Sequence, residues 1–225
     1  MRLKKFINEQ NDDGLGITFV DIDETLFYTH ATIGVVKDNK LIRSLTNAEY
    51  NAYKLKEGET LCFDEFFSGK LFYETSKPIK KMLDKISTII EKSSVKGSKI
   101  ILLTAREDMN DKEKFLNTFR KQGFPIDKTY IVRAGSKKTP SERIPDAKKR
   151  IIIEYLESGV YRRTRIYDDF LENCQAFLSI RDDVPKDIID KIRKTYDIPE
   201  NISDDKIITF EAYHVKKNGD TERIN

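Results

Sequence analysis

Three short apolar runs, ITFVDI at 17–22, KIILL at 99–103 and TRIY at 164–167, are rich in β-branched and aromatic residues and too short for buried helices, so they read as strands. Helical periodicity fills the intervals. Residues 78–92 place Ile79, Met82, Leu83, Ile86 and Ile90 on one face, with Pro78 suited to a first turn, and residues 111–122, 140–157 and 184–195 follow the same pattern. Strands alternating with helices pair in parallel through crossover helices, which predicts a layered α/β fold. In such folds chemistry gathers at the carboxyl ends of the strands. A length of 225 residues suits one sizeable core, or a core carrying a modest insertion.

Residues 28–77 interrupt the alternation. ATIGVVKDNKLIRSL holds two β-like runs around KDNK, a hairpin pattern, and TNAEYNAYKL and FDEFF read as short helical pieces. This segment is expected to be a small inserted cap, with the core formed by 14–27 and 78–225. Its aromatic residues Tyr50, Tyr53, Phe63, Phe66, Phe67, Phe72 and Tyr73 are expected to build the insert's own small core, with base stacking as the alternative. At the other end of the chain, Asn218-Gly219 between two β-like runs predicts a terminal hairpin.

Composition narrows the function classes. The 41 basic and 38 acidic residues nearly cancel, so bulk electrostatics offer no basis for non-specific nucleic-acid binding. Two basic stretches, KKTPSER…DAKKR and the RRTR at 162–165, could still form a local collar around a phosphate site, or simply a solvated face. Cys62 and Cys174 have no metal-ligand spacing and read as buried small hydrophobes, while His30 and His214 stand without partners. The basic start MRLKKFINEQNDD has no apolar run after it, and no segment is long enough to span a bilayer. A cytoplasmic setting without membrane or evident protein partners is therefore expected.

Three strand ends carry polar clusters. Asp21 and Asp23 follow the first apolar run, and side chains two apart on an extended chain point to one side, so both could converge on one ligand. A calcium loop fails here, because its glycine position is Leu26 and its bidentate acid position is Thr32. Helix capping would account for Asp23 but not for Asp21. After the second run, Thr104 and Arg106 offer a hydroxyl and a guanidinium fork to a tetrahedral anion. The alternatives are a cap for Thr104 and a surface pairing of Arg106 with Glu107 or Asp108. After the third run come Asp168 and Asp169, whose charges are more easily held if they share a divalent cation with Asp21.

DIDET, a strand ending in Thr104, a lysine in DAKKRIIIEYL and the pair in IYDDF together resemble, in order, the four motifs of the haloacid-dehalogenase superfamily of phosphotransferases. The resemblance implies a three-layer Rossmann-like core with a parallel sheet and a small cap. It implies Asp21 as nucleophile, Asp23 as general acid/base, Thr25 at the motif's third position near substrate, Thr104 as the hydroxyl on the phosphoryl group, and Mg²⁺ held by Asp21, Asp23, Asp168 and Asp169. Lys148 and Lys149 both fit the lysine motif, and Lys148 is preferred as nearer the helix start. Arg106 and Asn173 are further similar to the phosphatase half of phage polynucleotide kinase-phosphatases, and the insert to small phosphatase-like proteins of phage genomes.

The implied activity is Mg²⁺-dependent phosphomonoester hydrolysis through an aspartyl-phosphate. Crowding by Asp21 and Glu24 would help Asp23 hold a proton, and Glu24 is expected to point away toward solvent or a cap residue. The expected substrate is a nucleotide or a nucleic-acid terminal phosphate. A sugar phosphate, transfer to an acceptor other than water, and a silent phosphate-binding module are the alternatives.

Overall fold

The computed structural model describes residues 14–94, 97–136, 139 and 141–225. In chain order the elements are β1 (Leu15–Val20), β2 (Phe27–Tyr28), β3 (Ile33–Lys37), β4 (Lys40–Leu45), α1 (Asn47–Ala52), β5 (Glu59–Cys62), α2 (Gly69–Thr75), β6 (Lys77–Pro78), α3 (Lys80–Ser94), β7 (Lys99–Thr104), α4 (Lys112–Arg120), β8 (Tyr130–Arg133), α5 (Ile144–Leu156), β9 (Tyr161–Asp168), α6 (Leu171–Leu178), α7 (Lys186–Tyr196), β10 (Thr209–Val215) and β11 (Thr221–Ile224). The main sheet runs β11-β10-β9-β1-β7-β8, parallel throughout except for β11. Taken by chain order, its parallel strands stand 3-2-1-4-5 from β8 to β10, a Rossmann-like doubly wound arrangement that reverses between β1 and β9.

Both sheet faces are covered. Ile17 and Phe19 of β1, with Ile101 and Leu103 of β7, join α5, α6 and α7 in one core, while Val20, Ile100 and Leu102 pack on the other side against Met82, Leu83, Ile86 and Ile90 of α3 and Phe115 and Phe119 of α4. The two-residue period that splits β1 and β7 between these cores follows from the pleat. The Asn218-Gly219 hairpin forms as expected between β10 and β11.

Several boundaries differ from the sequence expectation. β1 occupies 15–20 rather than 17–22, so Leu15 and Gly16, ahead of the apolar run, are already paired to β9; residues 1–13 lie outside the described residues. Pro78 is not in a helix but opposite Phe27 in the β2–β6 bridge, and α3 begins at Lys80. β9 extends back to Tyr161, because a central strand can carry charged residues when each finds a neighbour across the ladder, as Arg165 does with Glu211 at 2.8 Å. Elements with weak local signals, β5, β8, α2 and α6, went unforeseen.

Within 28–77, β3 and β4 form the expected hairpin, with Asp38 and Asn39 both at positive φ in the turn, and β5 adds a third strand. Thr46 and Glu49 close a capping box on α1. The aromatic residues divide. Tyr53 and Phe66 pack on Ile33, Val35 and Leu45 in a small local cluster, but Phe72 of α2 enters the main core beside Phe27, Phe115 and Phe119. Tyr50 and Phe63 remain 37% and 38% exposed. No helix among the described residues is long and apolar enough to cross a membrane.

Candidate active site

The β1/β9 reversal is where ligands of open α/β sheets bind, at the carboxyl ends of the strands. Asp21 stands immediately after β1, Asp168 ends β9, Asp169 follows it, and Thr104 ends β7. Carboxylate oxygens of Asp21, Asp168 and Asp169 lie within 4.8 Å of one another. Into this group α5 projects Lys148, whose side chain is only 2% exposed and whose Nζ donates to Asp21 Oδ1 at 2.7 Å and Asp168 Oδ2 at 2.6 Å. Lys149 turns instead to Ser179 Oγ and Asp183, at 2.9 and 3.2 Å. Helical geometry explains the difference, since successive residues face directions roughly 100° apart.

Three carboxylates face one ammonium, so the cluster is anionic when fully ionised. Burial pushes the Asp21 carboxyl well above its ordinary range, an effect that Lys148 opposes and that Asp168, Asp169 and Asp23 reinforce. Asp169 is raised to about 7, first by burial and then by repulsion from Asp168. Burial disfavours the Lys148 ammonium, yet Asp168 and Asp21 outweigh it and raise its proton affinity. An all-oxygen donor set short of positive charge suits a hard divalent cation. Asn173 supports the same fit: its Nδ2 donates to Asp168 Oδ1 at 2.8 Å, while its buried Oδ1 has no hydrogen-bond partner among the described residues, leaving an acceptor open beside the cluster.

Neighbouring bonds fix the carboxylates. Asp168 Oδ1 also accepts from Phe170 N at 3.0 Å. Fully buried Thr25 accepts from Asp169 N at 3.0 Å and donates to Asp169 Oδ1 at 3.2 Å, so its hydroxyl serves to orient that acid. Thr104 is also fully buried, and its Oγ1 accepts from Arg106 N at 3.1 Å.

Asp23 takes a different environment. The strand ends at Val20, so strand alternation does not govern residues 21–24; Glu24 adopts a left-handed φ of 57° and its Oε1 accepts from Thr29 N at 3.0 Å. Burial is the first cause of the raised Glu24 proton affinity. The side chain facing Asp23 is Arg106, with Nη2 at 2.6 Å from Oδ1 and Nε at 2.9 Å from Oδ2. Arg106 thus pairs neither with Glu107 nor with Asp108; the latter binds Lys112 at 3.1 Å.

The basic collar does not assemble from 162–165. Arg163 lies five residues before Asp168, roughly 16 Å away along an extended strand, Arg162 binds Ile207 O at 3.2 Å and Arg165 binds Glu211. Lys137 and Lys138 of the other basic stretch lie outside the described residues, and Arg143 pairs with Asp146 at 3.0 Å. Cys174 is buried, its thiol pushed up to about 12 by burial first and then by Asp168, whereas Cys62 is half-buried, contrary to expectation. Neighbours that no local pattern flagged are Thr29 and Phe66 around Arg106, and His214, whose Nε2 lies 2.8 Å from Asp169 O through the β9–β10 register. No protein-family model and no curated protein matches the chain.

Proposed function

We propose that this protein is a Mg²⁺-dependent phosphomonoesterase of the haloacid-dehalogenase type. The observation that carries the reading is the meeting of Asp21, Lys148 and Asp168 from three separate segments, with Lys148 Nζ 2.7 and 2.6 Å from the two carboxylates at the sheet's reversal point. Asp21, Asp168 and Asp169 would hold the cation, which when bound supplies the positive charge that lets a carboxylate approach a phosphate dianion.

The chain's own residues divide the remaining work. Lys148 holds one Asp21 oxygen and aims the carboxylate. Asp21 forms the new bond to phosphorus as the bond to the ester oxygen breaks, and Asp23 gives its proton to that departing oxygen. Water then attacks the aspartyl-phosphate and surrenders a proton to Asp23, regenerating both acids and releasing phosphate. Thr104, at the end of the adjacent strand, retains a hydroxyl proton for a phosphoryl oxygen.

A nucleotide or a nucleic-acid terminal phosphate is the proposed substrate. The exposed Tyr50 and Phe63 rings support it: they meet edge-to-face at 5.8 Å, and Phe63 leads at 6.4 Å to Phe66, beside Arg106 and Asp23. The test is hydrolysis of an aryl phosphate with Mg²⁺, expected to vanish with EDTA and in Asp21→Asn. It is followed by a panel of nucleoside monophosphates, sugar phosphates and end-phosphorylated oligonucleotides. Absence of turnover across the panel would refute the enzyme reading; a wide preference for sugar phosphates would refute the substrate alone.

A further inference from the structure

Arg106 resembles a phosphate ligand in sequence, but its surroundings leave little of it for a substrate. Its side chain is 1% exposed. The guanidinium lies between the Phe66 and Phe72 rings, 4.9 and 4.7 Å from their centroids, a desolvated position that favours a cation held over π faces. Nε donates to Asp23, Nη2 donates to Asp23 Oδ1 and at 3.1 Å to Thr29 Oγ1, and Nη1 donates at 2.9 Å to Phe66 O. Four of the five N–H donors of an arginine are thereby committed. A bidentate grip on phosphate would require breaking bonds that are already buried and charge-assisted.

Two of those partners, Thr29 and Phe66, belong to the 28–77 segment, while Asp23 belongs to the catalytic loop. The same seam is held nearby by Asn110, whose N donates to Phe67 O at 3.0 Å and whose Oδ1 accepts from Gly69 N at 3.2 Å. The arginine's own backbone is fixed as well: a Cβ on Gly135 would fall against the carbonyl oxygens of Ala105 and Arg106, so the two loops touch through main chain.

The fork on Asp23 is also asymmetric. Oδ1 receives Nη2 at 2.6 Å and a longer contact from Nε at 3.2 Å, whereas Oδ2 receives Nε alone, at 2.9 Å. Each carboxylate oxygen has two acceptor sites, so among the described residues Oδ2 keeps one open.

We infer that Arg106 is a positioning residue rather than a substrate ligand: it couples the seating of the 28–77 segment to the orientation of Asp23, and presents Asp23 Oδ2 as the atom that transfers the proton. The inference rests on the phosphatase reading above. When the segment is seated, Phe66 O and Thr29 Oγ1 hold the guanidinium, and the guanidinium holds the carboxylate plane. A change at this seam therefore reaches Asp23 through the guanidinium, whose own position depends on Phe66 O and Thr29 Oγ1.

The test uses leaving-group dependence in kcat/KM, which covers the steps through formation of the aspartyl-phosphate. Arg106→Lys keeps the charge but loses the fork. It is expected to lose on the order of 100-fold with a nucleoside monophosphate, whose alkoxide must be protonated, and less than about fivefold with 2,4-dinitrophenyl phosphate, whose leaving group needs no proton. Asn110→Ala, which touches the insert but not Asp23, shifts the ratio in the same direction by a smaller factor. Hydrogen exchange across 61–72 accelerates in Arg106→Met. Equal losses on both esters with a KM raised more than tenfold would overturn the inference in favour of a phosphate ligand, and so would unchanged exchange in Arg106→Met. Wild-type inertness toward both esters would instead defeat the phosphatase reading, and the exchange measurement would still decide the clasp.

Discussion

Replacing Lys148 by methionine removes the ammonium from a pocket in which it, Asp21 and Asp168 have side chains 2%, 7% and 1% exposed. Methionine fills most of the lysine's volume, so the change is chiefly electrostatic. Breaking a buried ion pair by deleting one partner costs about 3–5 kcal/mol, because the remaining charge loses its compensation without regaining water. For a protein of 225 residues, 1 kcal/mol corresponds to roughly 2–4 °C in Tm, so the expected fall is on the order of 6–20 °C in EDTA at neutral pH. The loss shrinks as the pH falls, since the raised Asp21 carboxyl protonates readily and a neutral acid needs no counter-ion. In the wild type the sign is that of a raised lysine: the bridge's contribution is intact at neutral pH and is lost only as the pH rises through the elevated folded-state value, above the ordinary lysine range. Mg²⁺ at a hundred times its Kd adds about 2.7 kcal/mol to any protein that binds it only when folded. At equal Mg²⁺ concentration the variant gains more than the wild type, because its cluster has one positive charge fewer. Thermal unfolding followed by circular dichroism, with EDTA or Mg²⁺ at several pH values, measures all of this. A variant within about 1 kcal/mol of wild type in EDTA, or equal Mg²⁺ stabilisation of both, would refute the charge argument.

Other outcomes follow from the same geometry. Asp169, raised to about 7, and Asp21, raised in the same direction, must both lose their protons to bind a cation, so Mg²⁺ affinity should climb as the pH rises through the neutral range; titrations between pH 5.5 and 8.5 that give constant affinity would contradict this. In the metal-free protein Asp169, with an ordinary value of 3.8, makes stability decline as the pH rises from about 4 toward 7, which melts in EDTA will show. Phe63→Ala should raise KM for nucleoside monophosphates roughly 5- to 100-fold through lost stacking and leave KM for small sugar phosphates unchanged. Gly135→Ala forces a methyl against two carbonyl oxygens and should cost about 1–3 kcal/mol, read as a lower Tm.

Much of the candidate site could be read from local pattern. Each polar cluster followed an apolar run, and a run that becomes a strand of a parallel sheet delivers its next residues to the sheet's carboxyl edge; Asp21, Thr104 and Asp168 arrive there for that reason. The hairpins at Asp38-Asn39 and Asn218-Gly219 were legible because turn chemistry is confined to a few bonds. Where regular structure stops, that logic stops too: past Val20 the alternation argument no longer applied, and Glu24 reaches the insert, at Thr29 N, through a left-handed conformation rather than by alternation.

Periodicity and capping act over a handful of residues, so the alternation of strands and helices, the placement of acids at strand ends and the lysine-bearing helix are all legible along the chain. Which charges meet is settled by the completed fold. With 41 basic and 38 acidic side chains, pairing depends on distances between segments far apart in the chain. Lys148 reaches Asp21 and Lys149 does not, because one helix face is turned inward. Arg106 meets Asp23 across 83 residues, and Phe72 leaves the insert's cluster for the main core, because burial rewards whichever surface the completed fold brings near.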